Sequence, residues 1–292
     1  MKKLQNLFDK HLDIKNRTAQ EAETIGYMSR ILIQGCWPHK EQESNTYVRE
    51  DGKYKITLIN PEGLPYGSYP RLIMAWVVTE ATLTQKKELY LGRSLREFMR
   101  KLDIDCTGGK KGTIIRLKEQ VERVFNTFVS VSVIDNGKDI SHKKVENFVV
   151  ANQFELWWST TQNTADSLWE SSVTLSEDFF REITEHGFPF DVRVISALKK
   201  SPLGLDIYFF LTHRIYNVNK AGKAAMIPWT ALQKQLGAGY PETPQGRRNF
   251  KYNAGKYITE IILLWPGLEI KNHAKGILLY PCKPDVGAST KQ

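Results

Sequence analysis

The chain has few cysteines and no long apolar segment. Its three cysteines, Cys36, Cys106 and Cys282, lie far apart among 292 residues. Because their number is odd and their spacing wide, a disulfide framework is not expected, and we interpret them as small buried residues. No stretch approaches the roughly 18 apolar residues of a membrane span. The acidic Asp9 and Asp13 interrupt the first segment before any apolar run, which excludes a signal peptide. We therefore expect a cytoplasmic protein that makes no contact with a membrane.

The sequence also lacks the signatures of common enzyme and cofactor sites. Its six histidines never pair at the short spacing of a metal site, and a His-x-His relaxase motif is absent. The glycine-rich segment 108–112 does not match the G-x-x-x-x-G-K-[ST] pattern of a nucleotide-binding loop. Asp103 and Asp105 form the one acidic pair in an apolar frame, but aspartates at the predicted end of a helix commonly begin a loop. We expect no enzymatic activity, no cofactor and no metal ion.

Positive charge is concentrated in two segments of the chain. The net charge is +9, from 41 basic and 32 acidic residues. Residues 93–118 hold eight basic and three acidic side chains, and residues 193–256 hold eleven basic and two acidic ones. Residues 161–192, which lie between them, carry a net charge of about −6. Two basic surfaces with an acidic spacer are typical of a protein that binds a polyanion.

The first half of the chain predicts a helix, strand, helix, helix, hairpin order. Ser94 is the expected N-cap of the second helix, and the third helix has an apolar side and a basic side. The predicted elements are a helix over 69–82, an extended run over 87–91, helices over 95–102 and 113–128, and strands over 128–135 and 147–158. This is the order of a winged helix.

The second half of the chain repeats this order with almost no residue identity between the copies. Its predicted elements are a helix over 205–218, an extended piece and a helix within 224–237, a helix from 244 onward, and two short strands within 268–281 around a lysine-bearing turn. We therefore predict an α+β protein with two tandem winged-helix domains. The expected boundaries are an N-terminal extension of unclear role (1–60), a first domain (61–158), a linker (159–172), a second domain (173–285) and a tail (286–292).

The third helix of the second copy is the strongest candidate for reading DNA. Opposite its apolar stripe it presents Arg248, Asn249, Tyr252 and Lys256. Arginine pairs bidentately with guanine and asparagine with adenine, whereas lysine and tyrosine more often contact phosphates. The alternative is an ordinary solvated helix face, but such faces usually mix charges of both signs, and acidic residues are nearly absent here. Further candidates nearby are Arg247, Lys251, Lys271 and Lys275, the last two in the predicted wing.

The first copy offers a weaker surface. The outward face of its third helix is predicted to hold Arg116, Glu119, Gln120 and Arg123, and the glutamate weakens the case for base reading. The glycine-rich segment that precedes this helix resembles a phosphate cradle because backbone donors and a helix N-terminus would point at an anion. Its candidate contacts are Lys110 and Lys111. A plain basic loop is the alternative interpretation.

Part of the chain resembles a known family. The residues LPYGSYPRLIMAWVVTEA at 64–81, LGRSLREFMRKL at 91–102 and GGKKGTIIRLKEQ at 108–120 resemble the plasmid-encoded RepA replication initiators. The tight likeness covers about a fifth of the chain and continues loosely to the C-terminal wing. Each piece alone is a weak signal, whereas their combination is specific.

The resemblance implies a function. A protein of this kind would bind repeated sites, or iterons, in double-stranded plasmid origin DNA in the bacterial cytoplasm and would help to open adjacent AT-rich DNA. It would recruit the host replicative helicase and the host initiator protein, and would take part in plasmid copy control. The C-terminal domain would read the major groove, and the N-terminal domain would mediate dimerisation and contact the backbone.

Two other functions fit parts of the same pattern. A winged-helix transcriptional repressor, of its own gene or another, shares every feature except origin opening. A primase-like enzyme that uses Asp103 and Asp105 would need a polymerisation activity that nothing else in the sequence supports. The sequence leaves open the DNA site, the host range and whether the active form is a monomer or a homodimer.

Overall fold

The computed structural model of the chain describes residues 2–34, 37–50, 54–109, 112–136, 141–158 and 170–287. The chain divides into two compact units, one of which is discontinuous in sequence. The terminal unit combines residues 1–39 with residues 188–292, and the central unit comprises residues 40–187. In the described part of the chain, none of the helices has the length and apolar character needed to cross a membrane.

The secondary structure follows the same division. The first segment contains α1 (Lys2–Asn16), β1 (Ile25–Ser29) and α2 (Arg30–Gln34). The central unit contains β2 (Thr46–Glu50), β3 (Tyr54–Ile59), α3 (Ser68–Thr84), β4 (Glu88–Gly92), α4 (Leu95–Lys101), α5 (Thr113–Phe125), β5 (Phe128–Asn136), β6 (Ser141–Val149), β7 (Ala151–Glu155), β8 (Ser171–Leu175) and α6 (Glu177–Glu185). The last segment contains β9 (Gly187–Asp191), α7 (Val192–Leu198), α8 (Pro202–Ala221), β10 (Ala225–Pro228), α9 (Trp229–Leu236), α10 (Pro244–Leu264), β11 (Ile270–His273) and β12 (Gly276–Leu279).

Each unit contains one winged helix, which confirms the predicted fold class. In the terminal unit the elements are α8, β10, α9, α10, β11 and β12, and the antiparallel sheet has the strand order β10-β12-β11. In the central unit they are α3, β4, α4, α5, β7 and β8, and the sheet order is β4-β8-β7. In both sheets the last strand lies between the other two. The predicted N-cap is also present, since the Ser94 side chain accepts a hydrogen bond from the Glu97 amide.

The wing of the central unit lies elsewhere than the sequence predicts. The predicted hairpin of 128–135 with 147–158 is divided between two sheets. Strand β5 pairs with β6 and with β3, in a sheet of order β2-β3-β5-β6, whereas the wing strands are β7 and β8. The prediction of a 128–135 with 147–158 hairpin is wrong because the residue pattern of a strand does not specify its partner. The partner β3 lies within residues 1–60, for which no strand was predicted.

The predicted linker at 159–172 consequently has a different place in the fold. Its residues 159–170 fall between β7 and β8, two antiparallel strands of one sheet in the central unit, and residues 171 and 172 begin β8. Its polar composition suits a hairpin loop as well as it suits a linker, so composition alone could not separate the two. Residues 159–169 themselves lie outside the described part of the chain.

Residues 1–60 are likewise distributed between the two units and do not form a separate extension. Helix α1 packs against α7 and α10, α2 packs against α8, and β1 pairs with β9. Strands β2 and β3 join the sheet of the central unit. The predicted periodicity of the second domain was correct, but periodicity gives no information on which distant segment covers an apolar surface.

A buried polar cluster joins four segments of the terminal unit. The Arg193 guanidinium donates to Asp191 Oδ2 at 2.6 Å and to Asp13 Oδ2, at the end of α1, at 3.2 Å. The Asp191 amide donates to the Tyr208 hydroxyl at 2.9 Å, and that hydroxyl donates to the Asp285 carboxylate. Removal of Arg193 or of Asp191 from this cluster would leave the charge of the other buried without its partner.

The cysteines differ from their predicted environment. Cys106 is exposed and Cys282 is half-buried, and neither forms a disulfide. Cys36 lies outside the described residues. The expectation of burial is therefore wrong for Cys106, which follows α4 in a loop where its neighbours are also exposed.

The first prediction concerns the place of α1 in the core. Leu7 is 4% exposed and Phe8, its neighbour on the same helix, is 53% exposed. We expect Leu7→Ala to lower the free energy of unfolding by about 3 kcal/mol through lost packing, and Phe8→Ala to change it by less than about 0.5 kcal/mol. Urea unfolding of both variants of the full chain measures the difference. Equal, small effects would mean that α1 is not part of the terminal unit.

The second prediction concerns the pH dependence of stability. Asp285 is half-buried as a residue, but its carboxyl group has lost most of its water, and this desolvation raises its pKa from 3.8 to about 7. The folded chain therefore holds a proton that the unfolded chain releases between about pH 4 and pH 7. As a consequence, the free energy of unfolding falls as the pH rises through this range.

Asp285→Asn removes this dependence because the amide does not ionise. From pH 4 to pH 8 the free energy of unfolding of the variant should rise, relative to that of the parent, by on the order of 3 kcal/mol. The measurement is urea unfolding of both proteins at the two pH values. Asp9→Asn, at an exposed position, is the control, and its free energy of unfolding relative to the parent should not change with pH in this way. If the gain of Asp285→Asn equals that of the control, the carboxyl of Asp285 is not held neutral in the folded chain.

Candidate nucleic-acid interface

Helix α10 is fixed at its N-terminal end by the turn that joins it to α9. Thr243 is its N-cap and accepts a hydrogen bond from the Gly246 amide at 3.1 Å, and Pro244 follows in the first turn. The buried Gln233 donates to the carbonyl oxygens of Tyr240 and Pro241 at 3.4 and 3.1 Å. The start of α10 is therefore held by hydrogen bonds between side chains and the backbone of the turn.

Aromatic packing fixes the same turn to the body of α10. The rings of Tyr240 and Phe250 lie edge to face with their centres 5.4 Å apart. Burial raises the pKa of the Tyr240 hydroxyl, which accepts a hydrogen bond from Asn253 Nδ2 at 3.1 Å. These contacts set the direction in which the first turns of the helix face solvent.

The predicted reading face of α10 is exposed along its whole length. The side chains of Arg247, Arg248, Asn249, Lys251, Tyr252 and Lys256 are all exposed, and Tyr252 is 76% exposed. The buried stripe opposite consists of Phe250, Ala254, Ile258 and Ile261. Tyr257, which precedes Ile258 of this stripe, is half-buried.

The charge on this face is unusual for a helix N-terminus. Residues 244–256 contain four basic and no acidic side chain, and two of the four, Arg247 and Arg248, lie near the positive end of the helix dipole, where anions are favoured. Within the residues that the structure describes, no carboxylate lies within ion-pair distance of any of the four. The helix end and its side chains together favour a bound anion.

A residue that the sequence interpretation missed connects the two candidate base readers. Gln245 Oε1 accepts a hydrogen bond from Arg248 Nη2 at 2.8 Å, and its Nε2 donates to Asn249 Oδ1 at 2.8 Å. Its spacing of three and four residues from these side chains was the signal in the sequence. In this arrangement Gln245 restricts the rotamers of both side chains and holds them next to each other.

The wing of the terminal unit lies beside α10. Strands β11 and β12 pair with His273 opposite Gly276, and the two-residue turn between them carries Lys275. Lys271 and Lys275 are exposed, and Lys271 Nζ lies 5.4 Å from the centre of the Tyr280 ring. Lys251 Nζ is 3.4 Å from the Ala274 carbonyl oxygen, so this side chain joins α10 to the wing.

The corresponding helix of the central unit is α5, and fewer of its side chains are available for contact with DNA than the sequence predicts. Arg116 is exposed and lies 5.9 Å from the centre of the Tyr69 ring. Gln120, predicted on the outward face, is buried, and its side-chain oxygen accepts a hydrogen bond from the Tyr66 amide at 2.8 Å. The position was misassigned because α5 is covered on a second side by the segment that contains Tyr66.

Arg123 is bound within the central unit. Its guanidinium contacts the Glu41 carboxylate at 3.3 Å and the Leu64 carbonyl oxygen at 3.3 Å, and it lies 5.5 Å from the centre of the Tyr66 ring. The side chain is 19% exposed. These contacts engage its guanidinium within the unit, and its contact with DNA stays a prediction.

The loop before α5 is braced by two threonines. Thr113 Oγ1 accepts from the Thr107 amide at 2.9 Å and donates to the Asp105 carbonyl oxygen at 2.6 Å, and Thr107 Oγ1 accepts from the Thr113 amide at 3.1 Å. Lys110 and Lys111, the predicted phosphate contacts, lie outside the described residues. Their role stays a prediction.

Comparison with solved structures agrees with the observed fold. A crystal structure of RctB domains 2 and 3 aligns with a TM-score of 0.52 and 10% sequence identity, over 85% of this chain and 94% of that chain. A structure of selenomethionine derivatives of the same two domains aligns with a TM-score of 0.51 and 10% identity, over 88% and 97% of the two chains. At this identity the similarity establishes the fold alone.

Sequence comparison identifies the family. No curated protein matches the chain significantly, whereas the sequence profile of the family described as plasmid encoded RepA protein matches residues 64–231. The matched region begins before α3, ends within α9 and covers more than half of the chain. The protein therefore belongs to the family of plasmid-encoded RepA proteins and has the role of a plasmid replication initiator.

Proposed function

We propose that the protein initiates plasmid replication by binding repeated sites in double-stranded origin DNA, and that α10 enters the major groove. The observation that carries this proposal is the cationic face at the N-terminal end of α10, which is exposed and, among the residues that the structure describes, has no carboxylate within ion-pair distance. Phosphate groups would neutralise these charges and release the counterions of the DNA. The protein acts by binding and not by catalysis.

The side chains divide into base readers and backbone contacts. Arg248 and Asn249 lie in the first turns of the helix, which is the part that reaches base edges in helix-turn-helix proteins. Gln245 holds them side by side, so that the acceptors of a guanine and the acceptor and amino donor of an adenine could be read in adjacent base pairs. Tyr252 and Lys256 lie further along the helix, where they would contact phosphates together with Arg247.

The central unit contributes contacts that carry no base information. Arg116 is exposed at the start of α5, and Lys110 and Lys111 precede it in the glycine-rich loop. We assign these side chains to the DNA backbone. Opening of adjacent AT-rich DNA and recruitment of the host replicative helicase and host initiator protein are supported by membership of the RepA family.

A transcriptional repressor is the second candidate function because its winged helix would need the same cationic face. A footprint on the plasmid distinguishes the two. Tandem protected repeats beside AT-rich DNA indicate an initiator, and a single protected palindrome over a promoter indicates a repressor.

The third prediction concerns salt. Because α10 and the wing would neutralise several phosphates, the affinity for origin DNA should fall at least about a hundredfold between about 50 and 200 mM salt. The double variant Arg247→Ala with Lys256→Ala should make the slope of log K against log salt less steep by about 2. Fluorescence anisotropy with a labelled origin fragment measures both. A parent slope near zero would show that this face does not bind a polyanion.

The fourth prediction concerns base specificity. Arg248→Ala and Asn249→Ala should each cost about 1 to 3 kcal/mol of binding free energy and relax the preference at one or two base pairs. Both residues are exposed, so the melting temperature should stay near that of the parent. The measurement is affinity for the cognate site and for its single-base variants.

Two controls accompany this experiment. Tyr257→Ala should lower the melting temperature instead, because this half-buried ring packs against Gly204 of α8. Gln245→Ala should relax the same base preferences as Arg248→Ala, but less strongly, since it removes only the support. If Arg248→Ala and Asn249→Ala discriminate among the single-base variants as the parent does, α10 is not the reading helix.

A further inference from the structure

Two residues, Trp229 and Lys251, donate hydrogen bonds to the backbone carbonyls at the turn of the terminal wing. Trp229 Nε1 donates to the His273 carbonyl oxygen at 3.2 Å, and the Trp229 amide donates to the Lys275 carbonyl oxygen at 3.0 Å. Lys251 Nζ donates to the intervening Ala274 carbonyl oxygen at 3.4 Å. Three consecutive carbonyls are therefore held by Trp229 and Lys251.

The two donors are also in contact with each other. Lys251 Nζ lies 5.6 Å from the centre of the Trp229 ring, within the range of a cation–π interaction. Trp229 is the first residue of α9, and Lys251 lies in the second turn of α10. The contact thus joins the turn of the wing to both helices of the helix-turn-helix.

The backbone of the wing is brought close enough for these contacts by Gly276. A Cβ atom at this position would lie 2.1 Å from the Ile227 carbonyl oxygen, closer than any real contact, so only glycine lets β12 approach β10 in this way. The exposed Lys271 and Lys275 flank the fixed turn.

We propose that Trp229 and Lys251 are positioning residues for DNA binding, which hold the wing beside α10 so that Lys275 meets a backbone phosphate. The inference rests on the proposed function. An exposed hairpin tip ordinarily moves on a nanosecond timescale, and ordering it during binding would reduce the affinity. A wing that is fixed before DNA arrives avoids this loss. Lys251, predicted from the sequence as a DNA contact, then acts through the wing.

The alternative is that Lys251 contacts a phosphate itself. The two roles differ in how substitutions combine. If Lys251 acts only through Lys275, its loss has no further effect once Lys275 is gone, whereas two independent phosphate contacts give additive effects. Trp229→Phe sharpens the comparison because it keeps an aromatic ring, removes one donor and changes no charge.

The first measurement is made on the free full-length protein. We expect the backbone amides of Ala274 and Lys275 to gain fast motion in ¹⁵N relaxation experiments on Trp229→Phe and Lys251→Met. Lys251→Arg, which keeps a cation and a donor, should restore the rigidity of the parent. If these amides are as rigid in both disruptive variants as in the parent, Trp229 and Lys251 do not fix the turn of the wing, whatever the protein binds.

The second measurement is affinity for origin DNA. Trp229→Phe and Lys251→Met should each weaken binding about tenfold, the effect of one charge-assisted contact. Neither should weaken it further in a Lys275→Ala background. Lys256→Met, on the same helix but assigned its own phosphate, is the matched control and should add its full effect in that background.

The outcomes separate this inference from the proposed function. Additive losses for Trp229→Phe and Lys275→Ala would contradict positioning, as would mobile wing amides with unchanged affinity. If the parent itself does not bind origin DNA in a salt-dependent manner, the proposed function fails, and with it the role in DNA binding. In that case the relaxation data still decide whether Trp229 and Lys251 fix the turn of the wing.

Discussion

Helix α10 lies with its apolar side chains against α8, and this packing decides which of its residues face solvent. Burial of Phe250, Ala254, Ile258 and Ile261 is worth several kcal/mol. The packing is tight at Gly204 of α8, where a Cβ would lie 3.0 Å from the Tyr257 ring. Once this stripe is buried, the helical period alone turns Arg248, Asn249 and Tyr252 outward. The candidate reading face is therefore a consequence of the core.

The same unit depends on both ends of the chain. Helix α1 comes from the N-terminus and covers α7 and α10, while Asp285, near the C-terminal end of the described residues, lies in the buried polar cluster with Tyr208 and Asp191. In the same cluster the Arg193 guanidinium and the Asp191 carboxylate are buried together, and the loss of either would leave an uncompensated charge. The winged helix that carries the cationic face is thus completed by segments distant in sequence.

The cationic face has a cost in the free protein. Its four positive charges have no carboxylate at ion-pair distance in the described part of the chain, so they repel one another. Those at the helix N-terminus are also repelled by the helix dipole. Structure around the face limits the disorder that such repulsion would cause: Gln245 bonds both Arg248 and Asn249, and Lys251 is engaged by the wing and by the Trp229 ring. Side chains that are held before binding lose less conformational entropy when a ligand arrives.

The sequence by itself determined the local features of this protein. Apolar spacing predicted the helices over 69–82, 95–102 and 205–218, Ser94 was identified as an N-cap, and the unpaired basic residues near 248 marked the exposed face of α10. These features are local because helix periodicity, capping and charge patterning act over a few residues. The two winged helices and the RepA family also followed from such segments.

Only the tertiary structure decided how distant segments pair. Strand composition could not show that β5 joins β3 and not β7, since backbone hydrogen bonding accepts any partner of suitable register. Nor could it place residues 1–39 in the terminal unit or reveal that Gln120 and Arg123 are covered by the segment around Tyr66. The contacts of Trp229 with the turn of the wing likewise join residues distant in sequence and could not be predicted from it. Each depends on which surfaces meet when the chain folds, and that is settled by packing over the whole unit.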